Sequence, residues 1–189
     1  MRSRSKWILA LTILLWLFAL AGMARSAEFS ADMATLQGGQ ESVAKTFYKG
    51  NLYRMEMEQG GQKSISIGNI AEKVVWALDP ASKTYFEFRG SQAQAPGSAE
   101  VDKEVVKEIR KLGMETIQGY PCEKTQVVYK DPAMGVMTMW FSQKLGVALR
   151  MEYPNNSMTT EYRNIREGPQ ADSLFKIPAG YRKMAIPGM

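Results

Sequence analysis

Apolar and polar residues alternate with period two along most of the chain, the pattern of strands buried on one face. Phe29, Ala31 and Met33 alternate with Ser30, Asp32 and Ala34 up to a turn at Gly38-Gly39. A run over 42–48 leads to Gly50-Asn51, a hairpin signal. Tyr53, Met55 and Met57 then alternate with Arg54, Glu56 and Glu58 before Gly60-Gly61. Ile65 and Ile67 share the face of the next run, and Val74, Trp76 and Leu78 that of the one before Asp79-Pro80. Residues 84–89 close this first meander. Later runs cover 114–118, 122–130, 136–141, 147–153 and 158–165, divided by Gly119-Tyr120-Pro121, Asp131-Pro132 and Pro154-Asn155-Asn156.

One segment breaks the pattern. Residues 90–98 are Gly, Ser, Gln, Ala and Pro and read as a loop. A helix is predicted after it, over about 99–112: Val101, Val105, Ile109 and Leu112 recur at helical spacing, Ser98 can cap it, and Gly113 can end it. The tail 173–187 is punctuated by proline and reads as an extended cap. Gln-Gly-Gly-Gln-x-Ser occurs twice, at Gln37–Ser42 and Gln59–Ser64, as two similar turns of a meander. The sum is a mainly β domain of the α+β class, with about ten antiparallel strands and one helix. A sheet of that size has to curl or close, because long flat edges aggregate.

The first residues change the picture of charge and of compartment. Arg2, Arg4 and Lys6 precede an apolar run from Trp7 to Ala21 and then small residues, which predicts a secretory signal over 1–27. The mature chain is then expected to begin at Arg25, Ala27 or Glu28, and 28–189 to form one domain. No cysteine lies near this point, so a lipid-anchored lipoprotein is not expected. The signal holds four of the 24 basic residues and none of the 19 acidic ones, leaving a mature net charge of about +1 and no basic surface for nucleic acid.

The chain contains no histidine and a single cysteine, Cys122. That removes an internal disulfide, most zinc sites and the Ser-His and Cys-His nucleophile systems. No catalytic constellation, cofactor motif or metal-ligand cluster is legible, and the chain is not expected to be an enzyme. Of 13 methionines, only Met1 and Met23 lie in the signal. Thioethers bind soft copper, but Met55/Met57 and Met137/Met139 are spaced by strand alternation rather than as a ligand cluster. An adaptable apolar surface is the sharper reading of the excess.

Several segments, in this order, carry a resemblance. They are Phe29-Ser30-Ala31-Asp32-Met33, Gly50-Asn51-Leu52-Tyr53-Arg54-Met55-Glu56, Val75-Trp76-Ala77-Leu78-Asp79-Pro80, Gln118-Gly119-Tyr120-Pro121-Cys122-Glu123-Lys124 and Phe175-Lys176-Ile177-Pro178-Ala179-Gly180-Tyr181. The chain resembles an uncharacterised family of bacterial exported proteins that looks related to the periplasmic carriers LolA and LolB and to mycobacterial lipid-carrier lipoproteins. The resemblance implies a LolA-like incomplete β-barrel: a curled antiparallel sheet with an apolar concave face lidded by helix. It implies a periplasmic carrier or sensor that binds lipid or lipoprotein acyl chains without catalysis or cofactor. The alternative is an envelope protein–protein interaction module with a filled core. Candidates for the concave face are Met55, Met57, Ile65, Ile67 and Trp76, then Met137, Met139, Leu149 and Met151, with Ile109 from the lid. Arg54 or Arg150 near a rim is available to a headgroup.

Overall fold

The computed structural model describes residues 27–90, 93, 95–98 and 101–185; all of the expected signal except Ala27 lies outside the described residues. The first six strands are β1 (Glu28–Gln37), β2 (Gln40–Lys49), β3 (Leu52–Gln59), β4 (Gln62–Asn69), β5 (Val74–Asp79) and β6 (Thr84–Arg89). The rest are β7 (Val106–Ile117), β8 (Tyr120–Tyr129), β9 (Val136–Ser142), β10 (Val147–Tyr153), β11 (Met158–Glu167) and β12 (Arg182–Lys183). They form one sheet in the order β12-β6-β5-β4-β3-β2-β1-β11-β10-β9-β8-β7. All neighbours are antiparallel except β12, which runs parallel to β6. The sheet is two meanders joined through β1 and β11, and its edges β12 and β7 do not meet. The open, mainly antiparallel sheet expected from the sequence is therefore the fold observed.

The lid helix is not. Residues 101–105 are loop and turn, and residues 106–112 belong to β7; residues 99–100 lie outside the described residues. The ladder with β8 runs from Val106↔Tyr129 to Ile117↔Tyr120, with irregularities at Val106/Glu108 and at Lys111/Gly113. The irregularity at Lys111/Gly113 breaks the period-two pattern, so Ile109 and Leu112 stand three residues apart as they would on a helix, while Val105 belongs to the turn before the strand. The β-branched Val106, Ile109, Thr116 and Ile117 favour the strand. Ile109 and Leu112 stay 50% and 49% exposed, so this stripe is not core.

Register sorts the residues of the sheet onto two unlike faces. On one face Phe29, Tyr48, Tyr53 and Gly68 form a row across β1–β4. Two residues further along come Ala31, Thr46, Met55 and Ser66, and then Met33, Ala44, Met57 and Ser64. Across the centre the same face continues as Thr35, Thr160, Met151, Met139 and Thr125. None of these residues is charged. Asp32, Lys45 and Glu56 lie side by side on the other face, as do Arg150 and Glu161.

The charged face is covered at β2–β6 by the C-terminal segment. Phe175, from a 3-10 turn at Asp172–Phe175, packs against Ile65, Ile67 and Leu78, with Trp76, Leu174 and Tyr181 around them. Polar bonds fix this cap. Arg54 Nη1 donates to the Leu174 carbonyl at 3.0 Å, and Lys49 Nζ reaches Asp172 at 2.7 Å and the Gln170 carbonyl at 3.2 Å. The short β12 is tied to β6 through Glu87. Its carboxylate accepts from Trp76 Nε1 at 3.1 Å and pairs with Arg89 at 2.8 Å and Lys183 at 3.1 Å. The Trp76 bond, then those from Arg89 and Lys183, lower the Glu87 carboxyl from 4.5 to about 2. A depressed carboxyl contributes stability above its unfolded value and loses it as pH falls through the folded one. The cap at β12 is thus expected to loosen between about pH 4.5 and 2, read as a change in Trp76 environment by fluorescence; a flat profile over that window contradicts this.

Gly68 is required on the uncharged face. A Cβ there would lie 2.2 Å from Cε1 of the Tyr53 ring. Gly68→Ala is expected to cost about 1–3 kcal/mol, measured by denaturant unfolding, because a well-packed ring has to shift.

Candidate functional site

The uncharged face is filled at one end and open at the other. Phe29 and Tyr48 stack at 4.7 Å between ring centroids, and Tyr53 and Tyr162 tilt against Tyr48. All four rings are buried. Burial pushes the Tyr48 and Tyr162 hydroxyls well above their usual range and that of Tyr53 to about 12, so all three act as neutral hydrogen-bonding groups. Tyr48 donates to the Pro96 carbonyl at 2.9 Å and lies 2.7 Å from the Tyr162 hydroxyl. Since the single Tyr48 proton goes to Pro96, Tyr162 donates to Tyr48.

Pro96 belongs to a strap, Ala95–Ser98, that takes the place of a helical lid. The Ala148 N–H donates to the Gly97 carbonyl at 2.9 Å, which pins the strap at the β10 bulge between Ala148 and Arg150. Gly97 has φ +66, and a Cβ there would lie 2.9 Å from the Tyr162 hydroxyl and 3.2 Å from the Ala148 carbonyl oxygen. Only glycine allows so close an approach with that backbone.

A half-open cavity of about 370 Å³ lies between the strap, residues 101–105 and β8–β10. Pro96, Val101 and Val105 line it from the strap side, and Tyr129, Met137, Met151 and Tyr153 from the sheet. Its walls present polar and apolar surface in about equal measure, with Ser98 and Asp102 at the strap side. The Tyr129 and Tyr153 hydroxyls each lie 3.9 Å from a thioether, Met137 Sδ and Met151 Sδ respectively. Flexible thioethers let such a wall repack around different apolar shapes.

The residues singled out in the sequence separate into groups. Met55, Met57, Met137, Met139 and Met151 share the uncharged face, and Met137 and Met151 line the cavity. Ile65, Ile67 and Trp76 lie on the opposite face beneath the C-terminal cap. Leu149 occupies the β10 bulge and is fully buried in the cluster of Phe29, Tyr48 and Tyr162. Ile109 lies on edge strand β7 opposite Val127, half exposed. Arg54 serves the cap, and Arg150 lies on the charged face 5.2 Å above the Trp140 ring. Sequence reasoning missed the tyrosine cluster and the strap. The tyrosines alternated in the right register, but the composition of 90–98 carries no sign of what a loop docks against.

Cys122 is fully buried, and desolvation raises its thiol, which suits a packing role. Among the described residues no group of three or more His, Cys, Asp or Glu is placed to hold a metal ion.

Fold and face together define an open-sheet protein with one uncharged, methionine-rich surface under a strap. The chain belongs to the family described as Domain of unknown function (DUF4412), whose model matches residues 30–152. Among curated proteins none matches it in sequence. Among solved structures it is similar to an uncharacterized conserved protein from Thermus thermophilus, with 13% identity and a TM-score of 0.59 over 93% of this chain and 98% of that one. It is also similar to MucB, with 13% identity and a TM-score of 0.55 over 89% of this chain and 64% of that chain. The MucA/MucB complex of Pseudomonas aeruginosa gives 12% identity and a TM-score of 0.53 over 90% of this chain and 62% of that one. This chain therefore spans under two thirds of the MucB chain, and the likeness is one of fold.

Proposed function

We propose that this protein is exported to the periplasm and acts there as a non-catalytic carrier or sensor for acyl chains of lipids or lipoproteins, held on the uncharged face beside the strap. The observation that carries this reading is the register. Across β1–β4 and the centre of the sheet, rows of Met, Ala, Thr and Tyr lie on one face, with Asp32, Lys45, Glu56 and Arg150 on the other, and the first face runs into a cavity of about 370 Å³. The volume is at the lower end of ordinary ligand pockets, roughly 300–1,000 Å³. It suits part of an acyl chain, with the remainder lying along the methionine rows. Each buried methylene contributes about 0.8 kcal/mol. Ten give on the order of 8 kcal/mol before association costs of several kcal/mol, a balance that favours reversible binding. Titration with a fluorescent fatty-acid analogue is expected to saturate and to be reversed by unlabelled fatty acid. A signal that oleate does not displace sinks the proposal.

A second reading has its own observation. Edge strand β7 is twelve residues long and leaves Ile109, Leu112 and Met114 exposed. A surface of that kind suits an envelope protein partner, and MucB, similar in fold, has been solved with MucA. Absence of acyl binding together with capture of a defined protein partner through β7 would favour this reading.

A further inference from the structure

The two Gln-Gly-Gly-Gln segments are the tips of neighbouring hairpins. Gln37 pairs with Gln40 across the β1–β2 turn, and Gln59 with Gln62 across the β3–β4 turn. Strand order β4-β3-β2-β1 places both tips at the same end of the sheet. The glycines have φ of 57 and 81 in the first turn and 59 and 77 in the second, the left-handed pair that two-residue hairpins require. The turn explains the glycines but not the glutamines. Alternation from Met33 and Met57 puts Gln37, Gln40, Gln59 and Gln62 on the uncharged face, where all four are exposed.

A groove of about 810 Å³ opens beside the second tip, between Gln59–Ser64 and the turn Asp79–Ala81, with Met57 in its wall. It exists because β4 runs three residues past its last pair with β5, Ile65↔Leu78. The two charges in the groove are already engaged. Lys63 pairs with Glu56 at 2.8 Å, and Asp79 accepts from the Ala81 N–H at 2.9 Å and the Ser82 hydroxyl at 2.7 Å. An anionic headgroup would find no free cation there and would meet the Asp79 charge, while both Asp79 oxygens are already taken up in holding the turn. What remains is side-chain amides and a serine hydroxyl, which donate and accept in equal measure and match a hydroxyl-rich neutral group.

We propose that this groove binds an uncharged polyhydroxyl group, a sugar, as the headgroup of a ligand whose chain lies along Met57 and the uncharged face. The inference rests on the acyl-chain reading above. Its test is calorimetry on the purified protein with octyl glucoside, octanoate and octyltrimethylammonium below their micelle concentrations, and with maltotriose. The glucoside is expected to bind about tenfold more tightly than either charged octyl compound, the worth of one or two neutral hydrogen bonds. Gln59→Ala combined with Gln62→Ala is expected to abolish that preference and leave octanoate affinity unchanged. Maltotriose binding abolished by the same pair supports the site with a free saccharide as its source. Equal affinity for the three octyl compounds, or a preference that survives the double substitution, overturns the sugar site and leaves acyl binding standing. Binding of none of the four probes overturns both.

Discussion

Tyr162→Ala will destabilise the protein by about 3–5 kcal/mol, the range for emptying the site of a large buried aromatic side chain. The ring is fully buried, packs against Tyr48, and donates through its hydroxyl to the residue that holds Pro96. Alanine leaves a void beneath the strap and removes a donor from a buried oxygen. For a domain of this size the melting temperature is expected to fall on the order of 10 °C. Tyr162→Phe keeps the ring and removes only the hydroxyl, so it should cost about 0.5–1.5 kcal/mol. Denaturant unfolding of the two variants separates packing from hydrogen bonding. A Tyr162→Ala midpoint equal to that of the parent protein would mean that the aromatic cluster does not hold the sheet to its strap.

Met151→Asp is expected to lower affinity for the fatty-acid analogue about 100-fold or more while the protein stays folded. Met151 lines the cavity, pairs directly with Met139 and Thr160, and is only partly buried. A carboxylate there meets no cation among its paired neighbours; Arg150, next in the chain, points to the opposite face and is engaged with Glu152. An acyl chain entering the cavity would strip water from an unpaired charge, and that cost outweighs the methylenes it buries. Met151→Leu conserves volume and should bind nearly as the parent does. Fluorescence titration with circular dichroism on the same samples checks both claims. Undiminished affinity in the aspartate variant removes the cavity from the binding site.

The strands were legible because each is short and bounded by turn residues. The Gly-Gly and Gly-Asn tips, the alternation of Tyr53, Met55 and Met57 with Arg54, Glu56 and Glu58, and the proline-punctuated tail all have direct counterparts. Two things were hidden. A bulge in β7 set Ile109 and Leu112 at a helix-like spacing, continuing that of Val101 and Val105 in the loop before it, and a bulge leaves no mark in composition. Parity was also ambiguous wherever both faces of a strand are apolar. Ile65 and Ile67 look like Met55 and Met57 in sequence, yet pairing with Glu56 and Arg54 puts them on the other side of the sheet. The reason they can be apolar there is the cap built around Phe175, more than a hundred residues away in the chain.

The pairing of β1 with β11 sets when this protein can fold. Phe29 lies opposite Glu167 and Met33 opposite Tyr162, so the centre of the sheet joins its first strand to a strand near its C-terminal end. Hairpins within β1–β6 form from local contacts, but the Tyr48–Tyr162 contact has to close a loop of more than a hundred residues. Until Tyr162 is available, the first meander has no partner for its inner edge, and the strap has only half of its anchor. With such wiring the final packing waits for the last strands to arrive.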